Sequence, residues 1–396
     1  MRLGVYADLA YRRVDGHLSA DLPFIRFVTA MAPRVAELVV FGRLDPTPEP
    51  HPYDLPPDGV RFVALPHYPR VTNVSGVVRS LRRAMSIFAA ELERLDAVWV
   101  FGPHPVALAF AGVAIRRRTP LALGIRQDYP SYISRRLPSL VWAWAVPVAH
   151  GLEQAFRLLA RRFPTVVVGE ELARKYGAGR APLLMTGFSL IRASDIVRFE
   201  TALARSWDGP LRILSVGRVD PEKNPLLLPV VLAELQRREP RWRMTVAGEG
   251  QLLEAVKGRA AELGVADSIE LLGNVPNAAD LMALYRASQV FLHLSFTEGV
   301  PQVLFEAQAA GLPIVATDVG GVRGALAYGV GGLLIPPGDA PSAVAALERL
   351  RLDEGLRRSL IERGLDGVSQ ETIDVQLDRV ADFLRTLLEV ASRRSS

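Results

Sequence analysis

The 396-residue chain contains no cysteine. That excludes a disulfide framework, a thiol nucleophile and any thiolate metal site. It fits a reducing compartment. Lysine is almost missing as well: Lys175, Lys223 and Lys257 stand against 44 arginines. With Ala, Gly, Pro and Val abundant, this skew looks like the coding bias of a GC-rich genome. No stretch approaches the ~18 uninterrupted apolar residues of a membrane span. The closest, Leu140 to Ala149, is interrupted by Pro147 and reads as a buried or interfacial helix. Met1 to Asp8 meets an acid at once, without an apolar run, so no secretory signal is expected. Asp-x-Asp occurs nowhere. A divalent cation on a diphosphate usually needs such carboxylates, so no metal site is expected.

What is present describes a globular protein, 49% hydrophobic and 22% charged. Its length suggests two domains. Charge is unevenly spread: residues 1–200 carry 26 basic and 17 acidic residues, and residues 201–396 carry 21 and 25. Two readings of the basic first half stay open. One is a generally basic surface. The other is a domain that meets acidic partners, either a phosphorylated acceptor or an anionic membrane face. Arginine runs at Arg116-Arg117-Arg118 and Arg135-Arg136 belong to this half. Nucleic acid is a poor fit, because aromatics are not interleaved with the basic runs. The expected location is the cytoplasm, with peripheral contact at the inner membrane face left open.

Short apolar runs alternate with helical patterns in both halves. Expected strands in the first are 3–7, 37–41, 61–65, 97–101, 121–125 and 165–168. In the second they are 212–216, 243–247, 269–272, 290–293, 314–316 and 332–335. Runs buried on both faces, each followed by a crossover helix, imply parallel sheets. The expected fold class is α/β, with two doubly wound, Rossmann-like parallel-sheet domains facing a central cleft. The expected division is 1–195, 196–375 and a last helix in 376–396, with Asp208-Gly209-Pro210 as a turn signal near the junction.

Four loops in the second half end strands and open helices. Ser215-Val216-Gly217-Arg218-Val219-Asp220-Pro221-Glu222-Lys223 places two cations at a sheet rim, which suits a diphosphate. Solvated side chains paired with Asp220 and Glu222 are the plainer alternative. Ala247-Gly248-Glu249-Gly250 implies close approach of backbone to something, or simply a tight turn. Ser295 to Ala307 is the strongest loop. Pro301 marks a helix start, so the N–H groups of Gly299 to Gln302 would make an anion site with Glu298 at its mouth. Taken along one helix, Glu306 lies about 80° from Glu298. Buried Glu is seldom unpaired, which favours a ligand for Glu306. Ala316-Thr317-Asp318-Val319-Gly320-Gly321 is the fourth.

In this order, the first, third and fourth loops resemble glycosyltransferase family 4, the glycosyl transferases group 1 of the GT-B fold. Glu298 and Glu306 match its E-x7-E motif, followed by Gly311-x-Pro313-Ile314-Val315-Ala316-Thr317 and the Gly320-Gly321 pair. The resemblance covers residues 210–340. It implies a retaining, metal-independent enzyme, without a further cofactor, whose donor is a nucleotide-diphosphate sugar of the UDP or GDP type. Arg218 and Lys223 would hold the diphosphate, with backbone at Gly299 and Val300 adding contacts. Glu306 would bind ribose, Glu298 the donor sugar, and Asn274-Val275 would approach the base. Gly248 belongs to the family's glycine turn. The acceptor would be a sugar, a lipid-linked glycan or a small molecule. The last helix would cross back to the first domain.

The chain departs from the family in three places. The first N-terminal loop, Tyr11 to His17, has the single glycine Gly16 where a pair is common. Arg126 takes the place of a histidine near the reacting sugar. It would stabilise charge or anchor an anionic acceptor, or pair with Asp128. Arg323-Gly324 replaces Pro-Glu after the glycine pair. His104 is a further candidate for an acceptor or sugar contact, His17 a weaker one, and His293 reads as a core histidine. Two rival readings remain: a nucleotide-sugar 2-epimerase, and a non-catalytic scaffold of the same fold.

Overall fold

The computed structural model describes residues 1–56, 58–67, 74–134, 143–275, 278–326 and 330–395. The chain forms two units, Met1–Phe188 with Ile373–Ser396, and Ser189–Thr372. The sequence placed the divisions at 195/196 and 375/376. The linking segment is claimed by the second unit because Ile191, Ile196 and Val197 pack there. Val197 N–H also donates to the Ala309 carbonyl at 2.8 Å.

Unit 1 contains β1 (Arg2–Val14), β2 (His17–Ala20), β3 (Glu37–Asp45), β4 (Tyr53–Asp54), β5 (Val60–Leu65), β6 (Ala97–Gly102), β7 (Leu121–Ile125), β8 (Thr165–Val168) and β9 (Leu183–Thr186). The parallel order is β5-β3-β1-β6-β7-β8-β9. All five residues of β7 are buried, as expected of a strand covered on both faces. β1 runs well past the expected Ala7 and turns back into β2 through Asp15 and Gly16, both at positive φ (50° and 82°). Two successive positive-φ residues make the hairpin turn that Asp-Gly favours. Tyr11 to Val14 are therefore strand rather than loop. Gly16 is the hairpin tip, with open space around it.

Helices cover both faces. Phe110, on the helix Pro105–Arg117, stacks on Phe88 at 4.0 Å between ring centroids and packs against Tyr6 at 4.8 Å. The helix Ala145–Ala160 holds Pro147 in its first turn, where no backbone donor is needed. Pro147 thus breaks the apolar run without breaking the helix. Residues 140–142 and Arg135-Arg136 lie outside the described residues. The C-terminal helix Ile373–Ser395 returns to unit 1. Arg34 bonds Asp374 (3.0 Å) and Asp378 (2.6 Å), and the buried Thr186 hydroxyl donates to Gln376 at 2.7 Å. Among the described residues no helix is long and apolar enough to cross a membrane.

Unit 2 contains β10 (Leu211–Val216), β11 (Trp242–Ala247), β12 (Ile269–Gly273), β13 (Val290–His293), β14 (Ile314–Thr317) and β15 (Leu333–Ile335), all parallel in the order β12-β11-β10-β13-β14-β15. Side-chain alternation divides its core between the two faces. Val290 and Leu292 join Trp242 and Leu235 on one face; Phe291 joins Tyr285 and Leu304 on the other.

Phe110→Ala should destabilise unit 1 by about 3–5 kcal/mol, because the surrounding rings cannot close the cavity. Denaturant unfolding measures it. A loss under 1 kcal/mol would show that the ring cluster repacks.

Candidate functional site

In unit 2 the chain runs outward from β10 through β11 and β12, then returns beside β10 with β13. The switch point therefore lies between β10 and β13, where open α/β sheets bind ligands beyond the strand carboxyl ends. A pocket opens there, lined by Gly217, Arg218, Lys223, His293 and Ser295 among others. His293 is the last residue of β13, on the Phe291 face, with the two rings 6.3 Å apart.

Glu298 is the hub. One of its oxygens, Oε1, accepts from Lys223 Nζ at 2.5 Å, from His293 Nε2 at 2.8 Å and from the Ser295 hydroxyl at 2.6 Å. Its side chain is only 8% exposed. Burial pushes its carboxyl up, but His293 and Lys223 outweigh burial and hold it at about 2. His293, expected as an ordinary core histidine, is buried and satisfied by this carboxylate. The strand pattern gave its face and the end of β13, but not its Glu298 partner. Nothing in the sequence of its loop marks Ser295 as a partner of Glu298.

The loops around Glu298 are held mostly by backbone. The Phe296 N–H donates to the Glu222 carbonyl (2.8 Å), and the Thr317 hydroxyl to the Ser295 carbonyl (2.6 Å). A Cβ on Gly320, at φ +50°, would lie 2.0 Å from the Glu298 carbonyl oxygen. The glycine pair thus lets one loop rest on the backbone of the next. The same holds for Gly248, where a Cβ would meet the Gly217 carbonyl at 1.8 Å. The close approach the sequence implied at Gly248 is to another loop of the protein.

Arg218 is half exposed and paired with Asp220 (2.7 Å) and Glu222. The plainer alternative for this side chain thus describes the structure. Lys223 does not follow it; its partner is Glu298. Glu306 lies on the helix Gln302–Ala309. Glu298 precedes that helix, so the 80° relation, which assumed a shared helix, does not apply. Glu306 accepts from the Tyr285 hydroxyl at 2.8 Å, and burial pushes its carboxyl up. Its burial therefore has a protein partner, 21 residues away in sequence and without local signal. Val300 and Gly299 lead into Pro301, at the start of that helix, which no side chain caps. Asn274 and Val275 follow β12, where the Asn274 N–H approaches Glu249 at 3.4 Å.

The structure brings Arg218, Lys223 and Glu298 together. Gly16 and Arg126 belong to unit 1, as expected. Arg126 lies over the Phe24 ring, 4.0 Å from its centroid. Asp128 is taken by Lys175 (2.7 Å) and the Ser131 N–H (3.0 Å), rather than by Arg126. Arg323 pairs with Asp318. His17 opens β2 and is exposed.

A carboxyl held below its unfolded value contributes stability that is present above pH ~4.5 and lost as pH falls toward 2. Glu298→Gln should therefore be less stable than wild type by on the order of 2–3 kcal/mol at neutral pH. That gap should narrow between pH 5 and 3 in denaturant unfolding. An equal gap at pH 7 and pH 3 would show that Glu298 is not held as an anion.

Residues 204–366 match the sequence profile of the family described as glycosyl transferases group 1. A D-inositol 3-phosphate glycosyltransferase of Frankia alni is 39% identical over 168 residues, 40% of this chain and 41% of that protein. An exopolysaccharide phosphotransferase of Streptomyces coelicolor is 37% identical over 156 residues, 39% of this chain but 16% of that protein. The chain thus spans under half the length of these two relatives. The solved structure of Anabaena HepE in complex with UDP shares the fold, with a TM-score of 0.68 at 16% identity, covering 98% of this chain and all of that one. Residues 204–366 are thus similar to the glycosyl transferases group 1 family.

Proposed function

We propose that the protein is a retaining glycosyltransferase whose donor, a nucleotide-diphosphate sugar, is held at the β10–β13 notch of unit 2. The observation that carries this reading is a pocket lined by Lys223 and Arg218, with Lys223 bonded to the buried anionic Glu298. A sugar diphosphate needs both kinds of group: cations for the phosphates and acceptors for the hydroxyls. Lys223 and Arg218 would neutralise the leaving diphosphate as the glycosidic C–O bond breaks, taking the place of a metal ion. The sugar's anomeric carbon would bond to an acceptor hydroxyl oxygen, whose proton passes to the departing phosphate. Glu298, held by His293 and Ser295 independently of Lys223, would keep its position when Lys223 turns to the phosphate. Glu306, oriented by Tyr285, would receive the ribose hydroxyls. Retention follows the family resemblance. The UDP carried by the HepE structure makes a uridine donor the first to try. The acceptor would be a glycan, lipid-linked or small-molecule hydroxyl.

A thermal-shift series with UDP, GDP, ADP, TDP and their common sugars, with EDTA present, tests the reading. Ligand at a hundred times its Kd stabilises by about 2.7 kcal/mol. One nucleotide should raise the melting temperature clearly in EDTA, and Glu306→Ala should abolish the shift. Folded protein that responds to none of them would overturn the donor assignment.

A further inference from the structure

The strands β6, β7, β8 and β9 are parallel neighbours, so their amino ends share one rim of unit 1. This rim is opposite the strand carboxyl ends, where ligands of such sheets sit. The segments that enter β7, β8 and β9 are 116–120, 161–164 and 177–182. Together they hold six arginines, Arg116, Arg117, Arg118, Arg161, Arg162 and Arg180, and no acidic residue. Each segment ends on a proline whose carbonyl accepts an N–H from the adjacent strand: Pro120 from Val98 (2.9 Å), Pro164 from Leu123 (2.9 Å) and Pro182 from Thr165 (3.0 Å). Two of the loops also touch, since a Cβ on Gly179 would lie 2.5 Å from Arg161 Cα. The rim is thus a fixed platform.

All six arginines are exposed. Only Arg117 has a carboxylate partner among the described residues, Glu93 at 3.4 Å. A basic residue in the last turn of a helix answers the free carbonyls there, which accounts for Arg116 and Arg117 at the end of Pro105–Arg117. That effect fades beyond the last turn, and Arg180 lies four residues past the helix Gly169–Tyr176. Arg118 caps its helix at φ 59°, a left-handed position that glycine normally takes. An arginine is kept there against that preference. Aliphatic side chains stand beside the cations: Ile115 (41% exposed) directly before Arg116, and Leu158 (58% exposed) one turn before Arg161 and Arg162.

We propose that this arginine rim, at the amino ends of β7, β8 and β9, docks the protein on an anionic lipid surface. Two requirements select the partner. Guanidinium forks without carboxylates call for phosphate-type oxygens, which they bind in pairs. Exposed Leu158 and Ile115 call for an apolar layer directly beneath those oxygens. A bilayer with acidic headgroups offers both at once. A nucleic acid offers phosphates but is gripped with exposed aromatics, and the three segments expose none. With the rim on the bilayer, the strand carboxyl ends of unit 1 face away from it and stay open to ligands. The inference does not rest on the donor reading of the preceding subsection.

Co-sedimentation of the full chain with large unilamellar vesicles tests the proposal. Wild type should bind phosphatidylcholine vesicles that contain about 30% phosphatidylglycerol and not pure phosphatidylcholine, and should be released as salt rises from about 0.05 to 0.5 M. Arg161→Gln with Arg162→Gln should lower the partition coefficient by about fivefold per arginine. Leu158→Ser should lower it by about threefold or more. Arg237→Gln with Arg238→Gln, on a helix of unit 2, should bind as wild type does. Circular dichroism melts and the nucleotide thermal shift are measured on every variant, so misfolding and failure of the donor reading are read separately. Wild type that binds neither vesicle, or both equally, overturns the proposal. So does tighter binding to soluble heparin than to the acidic vesicles, which would give the rim a soluble polyanion instead. A folded Arg161/Arg162 or Leu158 variant that binds as wild type does, or a unit 2 control that loses as much, also overturns it. Should the arginine pair fail to fold, Arg180→Gln decides: unchanged binding overturns it.

Discussion

A buried carboxylate survives as an anion only where enough donors replace its lost water. At Glu298 three of them meet on a single oxygen, and each arrives from a different piece of unit 2. Lys223 comes from the loop after β10, His293 from the end of β13, and Ser295 from the loop leading to Glu298 itself. The Ser295 backbone is in turn fixed by Thr317 of β14, and the Glu298 backbone is covered by Gly320. The register of three neighbouring strands thus converges on one ion. Removing a donor would leave that charge uncompensated, so the loops have little freedom to drift apart. The rigidity needed to read a ligand comes from satisfying the protein's own buried charge.

Much of this was legible in the sequence because parallel strands are continuous apolar runs. β7, β8 and β13 fall where their residues alone place them. Arg218, Lys223 and Glu298 were legible for another reason: their loops follow strands and carry glycines. What the sequence withheld are partnerships. Tyr285 with Glu306, and Asp8 with His104, join distant segments, and nothing local marks them. Gly16 was misplaced although its signal was present, since Asp15-Gly16 is a hairpin pair. A resemblance to a loop outweighed the local turn chemistry. Gly248 shows a subtler limit. Its need for backbone approach was readable, but the approaching group was not, and it proved to be the next loop.

The order of the chain and the order in space also part company. Residues 189–203 follow unit 1 in sequence but bury their apolar side chains in unit 2. The last helix does the reverse, fastened to unit 1 by Arg34 and by the Thr186–Gln376 bond. Composition alone foresees neither, because both are decided by which surface accepts a few side chains; the return of the last helix was expected only from the family resemblance.

The pairing of Lys223 with Glu298 carries a consequence for anything that arrives at the pocket. The lysine is not a vacant cation waiting in solvent, because a carboxylate already matches its charge. Arg218 is in the same state through Asp220 and Glu222. An incoming anion must compete for both, so the gain is the difference between a new contact and an old one. A singly charged ion offers these side chains no more than a carboxylate does. A group with several adjacent negative oxygens can engage both together and win the exchange. The resting ion pairs therefore set a charge-density threshold at this pocket, which a multiply charged ligand would cross more readily than a monoanion.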